Sequence, residues 1–341
     1  MRTTTKFLIP LLAAVAFAIS ACATGPTVST DTSTAPSGSF PVTVTHAFGK
    51  TVIESKPKRV AALSWANADA ALALGVVPVG MAAQPYGDDD GDGILSWTKD
   101  KLDQLDAKTP ALFDETDGID FEAVADSKPD VILAAYSGLT KADYTTLSKI
   151  APVVAYPDKA YGTSWRDTIL IDGKALGLEK EAKAYVAKQD ADIASAVAAY
   201  PDIAGKTAMF SWLGSDFSKL GYYTSTDARA MYLDDLGLKT PASITKLTAD
   251  NTSFYGEVSA ENVDVFDDVD IIFGYGDAST LSRLQADPLL GKIPAIARGS
   301  VVFVKEGSPL AAAVSPPTAL SLPWSLKEYV AQLGAAAALV K

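Results

Sequence analysis

Apolar and polar positions follow a helix period and then a continuous run across residues 118–138, GIDFEAVADSKPDVILAAYSG. Phe121, Val124 and Ala125 recur at i, i+3 and i+4, which predicts one apolar face of a short helix. Pro129 closes that helix, because proline disfavours the helical conformation in the residue before it. Residues 131–135 are all apolar, the pattern of a strand covered on both faces. Tyr136, Ser137 and Gly138 then sit at its C-terminal end, where open α/β sheets take ligands. Residues 258–277, VSAENVDVFDDVDIIFGYGD, repeat the pattern with a one-residue shift between helix and strand. Glu261 stands where Glu122 stands, Val263 follows as Val124 does, and residues 270–276 answer residues 130–136. Two copies 140 residues apart predict two related lobes, each with a strand end open to a ligand.

The rest of the pattern fills in an α/β chain. Alternation over residues 41–54 predicts a hairpin, and apolar runs at 60–63, 76–81, 151–156, 206–213, 219–224 and 301–304 predict strands. Helical periodicity is expected at 68–74, 144–150, 164–178, 180–200, 227–236, 281–290 and 320–339. The expected class is two Rossmann-like α/β lobes joined by a single long helix, with a ligand cleft between them. The boundaries are a signal segment at 1–21, a tether at 22–39, a first lobe at 40–163, a linking helix at 164–178 and a second lobe at 179–341. Aromatic residues collect at the predicted strand ends: Trp65, Tyr86, Tyr136, Trp212, Tyr223 and Tyr275, with Trp165 and Arg166 at the lobe junction. Such rings offer an apolar face and a hydrogen-bonding edge, suited to a bulky ligand of mixed surface.

The N-terminus reads as a targeting segment. Arg2 and Lys6 precede an apolar run that ends in Ile19-Ser20-Ala21-Cys22. An ordinary signal peptide with Cys22 incidental is one reading. The other is a lipobox, with Ile in the usual place of Leu, and a sole cysteine that can form neither a disulfide nor a metal cluster favours it. The Thr-, Ser- and Pro-rich stretch that follows cannot bury enough surface to fold and reads as a tether.

Charge and motifs exclude several classes. The chain carries 29 basic and 41 acidic residues, a net charge of −12, which argues against nucleic acid as a partner. The single histidine, His46, lies in the N-terminal hairpin and cannot make the imidazole-rich site that a bare transition metal would need. DDDGDG at 88–93 has the first ligands of a calcium loop, but Lys99 occupies the position of the bidentate acid, so a solvated turn is expected. No Gly-x-Ser-x-Gly, P-loop or spare histidine supports an enzyme.

Lipobox, tether and paired lobes together resemble the substrate-binding lipoproteins of bacterial ABC importers, in the helical-backbone class that serves iron-siderophores, haem and cobalamin. The resemblance rests on residues 57–80 (PKRVAALSWANADAALALGVVPVG), on DFEAVADSKPDVILA, on TSWRD and on residues 289–304 (LLGKIPAIARGSVVFV). It implies an extracytoplasmic monomer, held to the membrane only by a lipid on Cys22, with no resident cofactor or metal. It also implies that Glu122 and Glu261 dock onto the permease; a helix-start acid favoured by the macrodipole is the plainer reading of each. A ferric tris-catecholate carries about −3 and would call for several basic groups. Only Arg166 and Arg229 fall near predicted strand ends, so a ferric hydroxamate is the expected ligand, with cobalamin or haem as the alternative.

Overall fold

The computed structural model describes residues 38–213, 217–249 and 253–341, so Cys22 and its surroundings lie outside the described residues. Strands β1 (Val42–His46) and β2 (Gly49–Ile53) form the expected antiparallel hairpin. Strands β3 (Val60–Ala62), β4 (Gly80–Ala82), β5 (Ala111–Phe113), β6 (Val131–Ala134) and β7 (Val153–Ala155) make a parallel sheet in the order β5-β4-β3-β6-β7. A second sheet holds β8 (Ala208–Leu213), β9 (Lys219–Tyr223), β10 (Tyr255–Ser259), β11 (Ile271–Tyr275) and β12 (Val301–Val304) in the order β10-β9-β8-β11-β12. Here β9 alone runs antiparallel to its neighbours. The two orders are the same permutation, and the repeated segments supply β6 and β11, the fourth strand of each.

Both strands are covered on two faces, as their unbroken apolar runs require. Val131 and Leu133 pack with Val154 and Ala175, while Ile132 and Ala134 pack with Val124 and Leu147. In the second sheet Phe273 stands against Tyr329, ring centroids 4.7 Å apart, and Tyr329 stacks on Tyr232 at 5.2 Å.

Residues 164–178, expected as one linking helix, form the helix Trp165–Ala175, which packs on the helix Asn67–Ala73 and on β1 of the first lobe. The chain turns at Gly177 (φ +70°) and continues as the 20-residue helix Glu179–Ala198, which lies against the C-terminal helix Ser321–Ala337. The two consecutive helices meet at Gly173, where an added Cβ would lie 2.4 Å from that of Ala182. One apolar cluster runs from Ala70 and Ile169 through Ala182 and Val186 to Phe210 and Phe273, so the crossing is part of the core.

The C-terminal chain makes a second junction. Ala312, Ala313 and Leu320 pack with Leu72, Leu95, Trp97 and Leu102 of the first lobe. At its centre the buried carboxylate of Asp69 accepts hydrogen bonds from Trp97 Nε1 (2.9 Å), Thr98 Oγ1 (2.9 Å) and Thr318 Oγ1. Trp97 lies on the helix Ser96–Gln104, which the apolar pattern does not anticipate because only its Trp97, Thr98 and Leu102 are buried. No helix among the described residues is long and apolar enough to cross a membrane.

Asp172 is the one buried acid of the helix Trp165–Ala175, and neither of its carboxyl oxygens has a hydrogen-bond partner among the described residues. Burial holds its pKa well above the usual carboxylate range. The native chain therefore keeps a proton that the unfolded chain gives up near pH 3.9, and stability is lost as pH rises from there through the raised native value. Asp172→Leu should stabilise the protein at neutral pH by about 1–3 kcal/mol in urea unfolding. The two unfolding midpoints should converge as pH is lowered toward about 4.

Candidate functional site

The C-terminal ends of the first sheet converge on a hollow of about 600 Å³ whose wall includes Ser64, Trp65, Gln84, Tyr86, Glu115 and Tyr161. Trp65 is carried on the turn after β3, between Ser64 (φ +56°) and Ala66 (φ +26°). Two non-glycine residues at positive φ on either side of one ring are strain that the surroundings must hold in place. Those restraints are visible. Glu115, just past β5, accepts the Ser64 N–H on both carboxylate oxygens (3.1 and 3.0 Å). Asn67, fully buried, donates to Leu63 O (2.6 Å) and Tyr136 O (2.9 Å) and accepts from Tyr136 N (3.1 Å). One amide side chain thus fixes the ends of β3 and β6 to each other, and with them Trp65 and Tyr136.

Around that frame the rings gather. Tyr86 lies 6.4 Å from Trp65, and Tyr136 meets Tyr161 edge-on at 5.8 Å. Gly138 lets Tyr161 lie so close, since an added Cβ there would fall 2.3 Å from its hydroxyl. Tyr136 also packs against Ala228, which brings the first lobe onto the start of the helix Ala228–Asp235. Burial, with Asp227 nearby, pushes the Tyr136 phenol far up.

From the second lobe the centre is Arg229. Its guanidinium is clamped by Asp227 (Nε to Oδ1 2.8 Å, Nη2 to Oδ2 2.9 Å), lies 3.8 Å from the Tyr223 ring centroid and donates to Tyr275 Oη at 3.4 Å. Tyr275 in turn donates to Ser315 Oγ at 2.7 Å. Burial opposes the charge on Arg229, but the Asp227 bonds outweigh it and raise its pKa. Burial pushes the Tyr223 phenol up to about 12. Trp212, Tyr223, Phe254 and Tyr255 line a second hollow of about 350 Å³, where Trp212 is 38% exposed. Tyr223 reaches this place by an unexpected route. Its strand runs antiparallel, so it stands level with Phe210 in mid-sheet, not at a ligand-facing strand end.

Five of the eight aromatic and basic residues expected at the ligand site, Trp65, Tyr86, Trp212, Tyr223 and Tyr275, are thus carried on the walls of the two hollows or against Arg229, and Tyr136 lies behind the wall residue Tyr161. Trp165 and Arg166, expected as ligand contacts at the lobe junction, line neither hollow and have other partners. Trp165 is buried and donates from Nε1 to Asp235 at 2.8 Å. Arg166 stacks on that indole at 4.4 Å and is ion-paired to Asp190 (2.6 Å) and Asp235 (2.5 Å). Together they bind the first crossing helix to Glu179–Ala198 and Ala228–Asp235. Asn67, Glu115 and Tyr161 were not anticipated. Glu115 had a signal, an acidic pair directly after the apolar triplet Ala111–Phe113, but a three-residue strand is too short for a period to show.

Three other expected features have clear surroundings. Glu122 and Glu261 are both exposed in the first turns of the segments leading into β6 and β11. Each segment runs back along the strand it precedes, so both acids stand at the ligand end of their sheets. In the 88–93 turn, Asp88 accepts from the backbone of Gly91 (2.9 Å) and Gly93 (2.6 Å), and Lys99 pairs with Asp90 (2.5 Å) and Asp92 (3.0 Å). The lysine takes the place of the missing ligand acid and joins these carboxylates. His46 is buried against Thr51 Oγ1 at 2.9 Å, in the hairpin.

Residues 60–307 match the family model for periplasmic binding proteins, and the chain belongs to that family. The crystal structure of Streptococcus pneumoniae TIGR4 PiaA in complex with ferrichrome is 47% identical, covers 88% of this chain and 100% of its own, and superposes with a TM-score of 0.84. Among curated proteins of Bacillus subtilis (strain 168), YhfQ, an ABC transporter substrate-binding lipoprotein by name, is 36% identical over 143 residues, 41% of each chain. YfiY, a siderophore-binding lipoprotein by name, is 31% identical over 200 residues, 58% of this chain and 57% of its own. The chain thus spans about half the length of these two relatives.

Proposed function

We propose that this protein captures a ferric siderophore of the hydroxamate type outside the cytoplasm and hands it, as a monomer, to an ABC permease for iron uptake. The observation that carries the reading is the cleft's combination of many aromatic faces with one half-buried guanidinium already matched by its own carboxylate. Trp65, Tyr86 and Tyr136 would meet the ligand from one lobe and Trp212, Tyr223, Arg229 and Tyr275 from the other. The rings cover the apolar arms of a chelate, and Arg229 and the phenols donate to oxygens around the iron. That PiaA, at 47% identity, has been crystallised with ferrichrome supports the ligand class. No step of covalent chemistry is asked of any residue. Cys22 is assigned the lipid that keeps the protein at the membrane, and Glu122 and Glu261 the docking of the loaded lobes onto basic groups of the permease.

Titration of a ferric hydroxamate against intrinsic tryptophan fluorescence should give a saturable quench, while haem and cobalamin give none. Burying an aromatic side chain against a ligand is worth about 1.5–3 kcal/mol, so Trp65→Ala and Tyr86→Ala should weaken binding about tenfold to a hundredfold with the melting temperature nearly kept. Arg166→Gln should bind within about threefold of wild type, because its charge is already spent on Asp190 and Asp235. A large loss there with none at Trp65 would place the ligand at the crossing helices instead.

Reversing both acids, Glu122→Lys with Glu261→Lys, should abolish iron uptake in cells while affinity for the chelate stays within a few-fold. Uptake at the wild-type rate would rule the pair out as docking groups. Cys22→Ala should shift the protein from the membrane fraction into the medium, and unchanged retention would return the segment to an ordinary signal peptide.

A further inference from the structure

Resting on the reading of the cleft as a ferric-siderophore site, we infer that Glu115 makes it a charge filter, admitting ferric complexes of zero or positive net charge and refusing polyanions. Glu115 lies in the wall of the 600 Å³ hollow beside Trp65, Tyr86 and Tyr161. Its only hydrogen-bond donor among the described residues is the Ser64 N–H, shared between its two oxygens at 3.1 and 3.0 Å. One neutral donor leaves most of a carboxylate's acceptor capacity unused. No lysine or arginine lines that hollow among the described residues, and Asp114 is the other ionisable acid in its wall. Glu115 enters none of the ion pairs of the described residues.

The arginine that the facing lobe brings to the rings does not offset this. Arg229 is held in a two-point pair with Asp227, so the pair contributes donor groups and little net charge. The cleft therefore presents aromatic faces and an unneutralised carboxylate. A trianionic chelate would meet repulsion at Glu115 with no lysine or arginine in the wall of that hollow to answer it, whereas a pendant ammonium on a chelate would find a partner.

The residue also supports the strained Ser64–Ala66 turn, so the test must separate charge from scaffolding. Glu115→Gln removes the charge and keeps one of the two oxygen acceptors for the Ser64 N–H. Three ferric probes would be titrated against wild type and variant: neutral ferrichrome, singly cationic ferrioxamine B and trianionic ferric enterobactin. In wild type the first two should bind and the third should be at least a hundredfold weaker. In Glu115→Gln, ferrioxamine B should lose about tenfold, ferrichrome should change less than threefold, and enterobactin should gain about tenfold or more, a charge-ordered response that scaffolding alone would not give. Equal losses for all three probes, or wild-type affinity for ferric enterobactin matching that for ferrichrome, would overturn the filter. Binding of none of the three would instead overturn the siderophore reading, and the filter with it.

Discussion

The buried carboxylate of Asp69 is the tie on which the relation of the two lobes depends. It collects an indole N–H and a hydroxyl from Trp97 and Thr98 of its own lobe, and a hydroxyl from Thr318 on the chain entering the C-terminal helix. Burial alone would drive such a group to its neutral form, and its pKa is raised for that reason, with the three donors acting in the opposite direction. An indole N–H can only donate, so the carboxylate must accept. Removing one charged partner from such a set costs far more than the net worth of the contact, since the remaining groups are left buried and unmatched. With the continuous core from Ala70 to Phe273, this tie joins the lobes directly beside the Trp65 ring, which shares a small pocket with Asp69, Thr98 and Thr318. A cleft held open by its frame spends little ordering entropy when a ligand enters.

The same economy governs the ring positions. Trp65 rides on a turn with two unfavourable backbone conformations, which persist only because Asn67 and Glu115 fix both sides of it. Asn67 joins the turn to Tyr136 without using a side chain that a ligand could displace. The recognition rings are therefore set by groups behind them, and the strain of the turn is offset by bonds that stay in place whether or not the cleft is filled.

Much of this was legible in the apolar pattern, for identifiable reasons. Strands buried on two faces write themselves as unbroken runs, so β6, β11 and β12 stand where the sequence places them, and the repeat of residues 118–138 maps onto equivalent strands of two sheets. Short edge elements carry no such period. β5 has three residues, one of them buried, and the helix Ser96–Gln104 buries three of nine. Partners far apart in sequence were likewise invisible. The partners of Arg166, Asp190 and Asp235, are 24 and 69 positions away, and the contact of Glu115 is a backbone N–H 51 positions earlier. Tyr223 lines a hollow with Trp212, but not as a strand end, since its strand is the antiparallel one.

The contrast between Arg166 and Arg229 carries the last step. Both are ion-paired, both stack on an aromatic ring, and a count of basic residues treats them alike. They differ in which donors remain. Arg166 is used on two acids from two other helices, so its role is exhausted by holding the crossing together. Arg229 gives Nε and Nη2 to a single acid two positions before it and turns Nη1 toward Tyr275 in the cleft. An arginine prepared in this way is a rigid set of N–H groups of known direction whose charge is matched before any ligand arrives. It suits oxygens that need donors but bring little net charge of their own, and it leaves selection by charge to the carboxylate across the cleft.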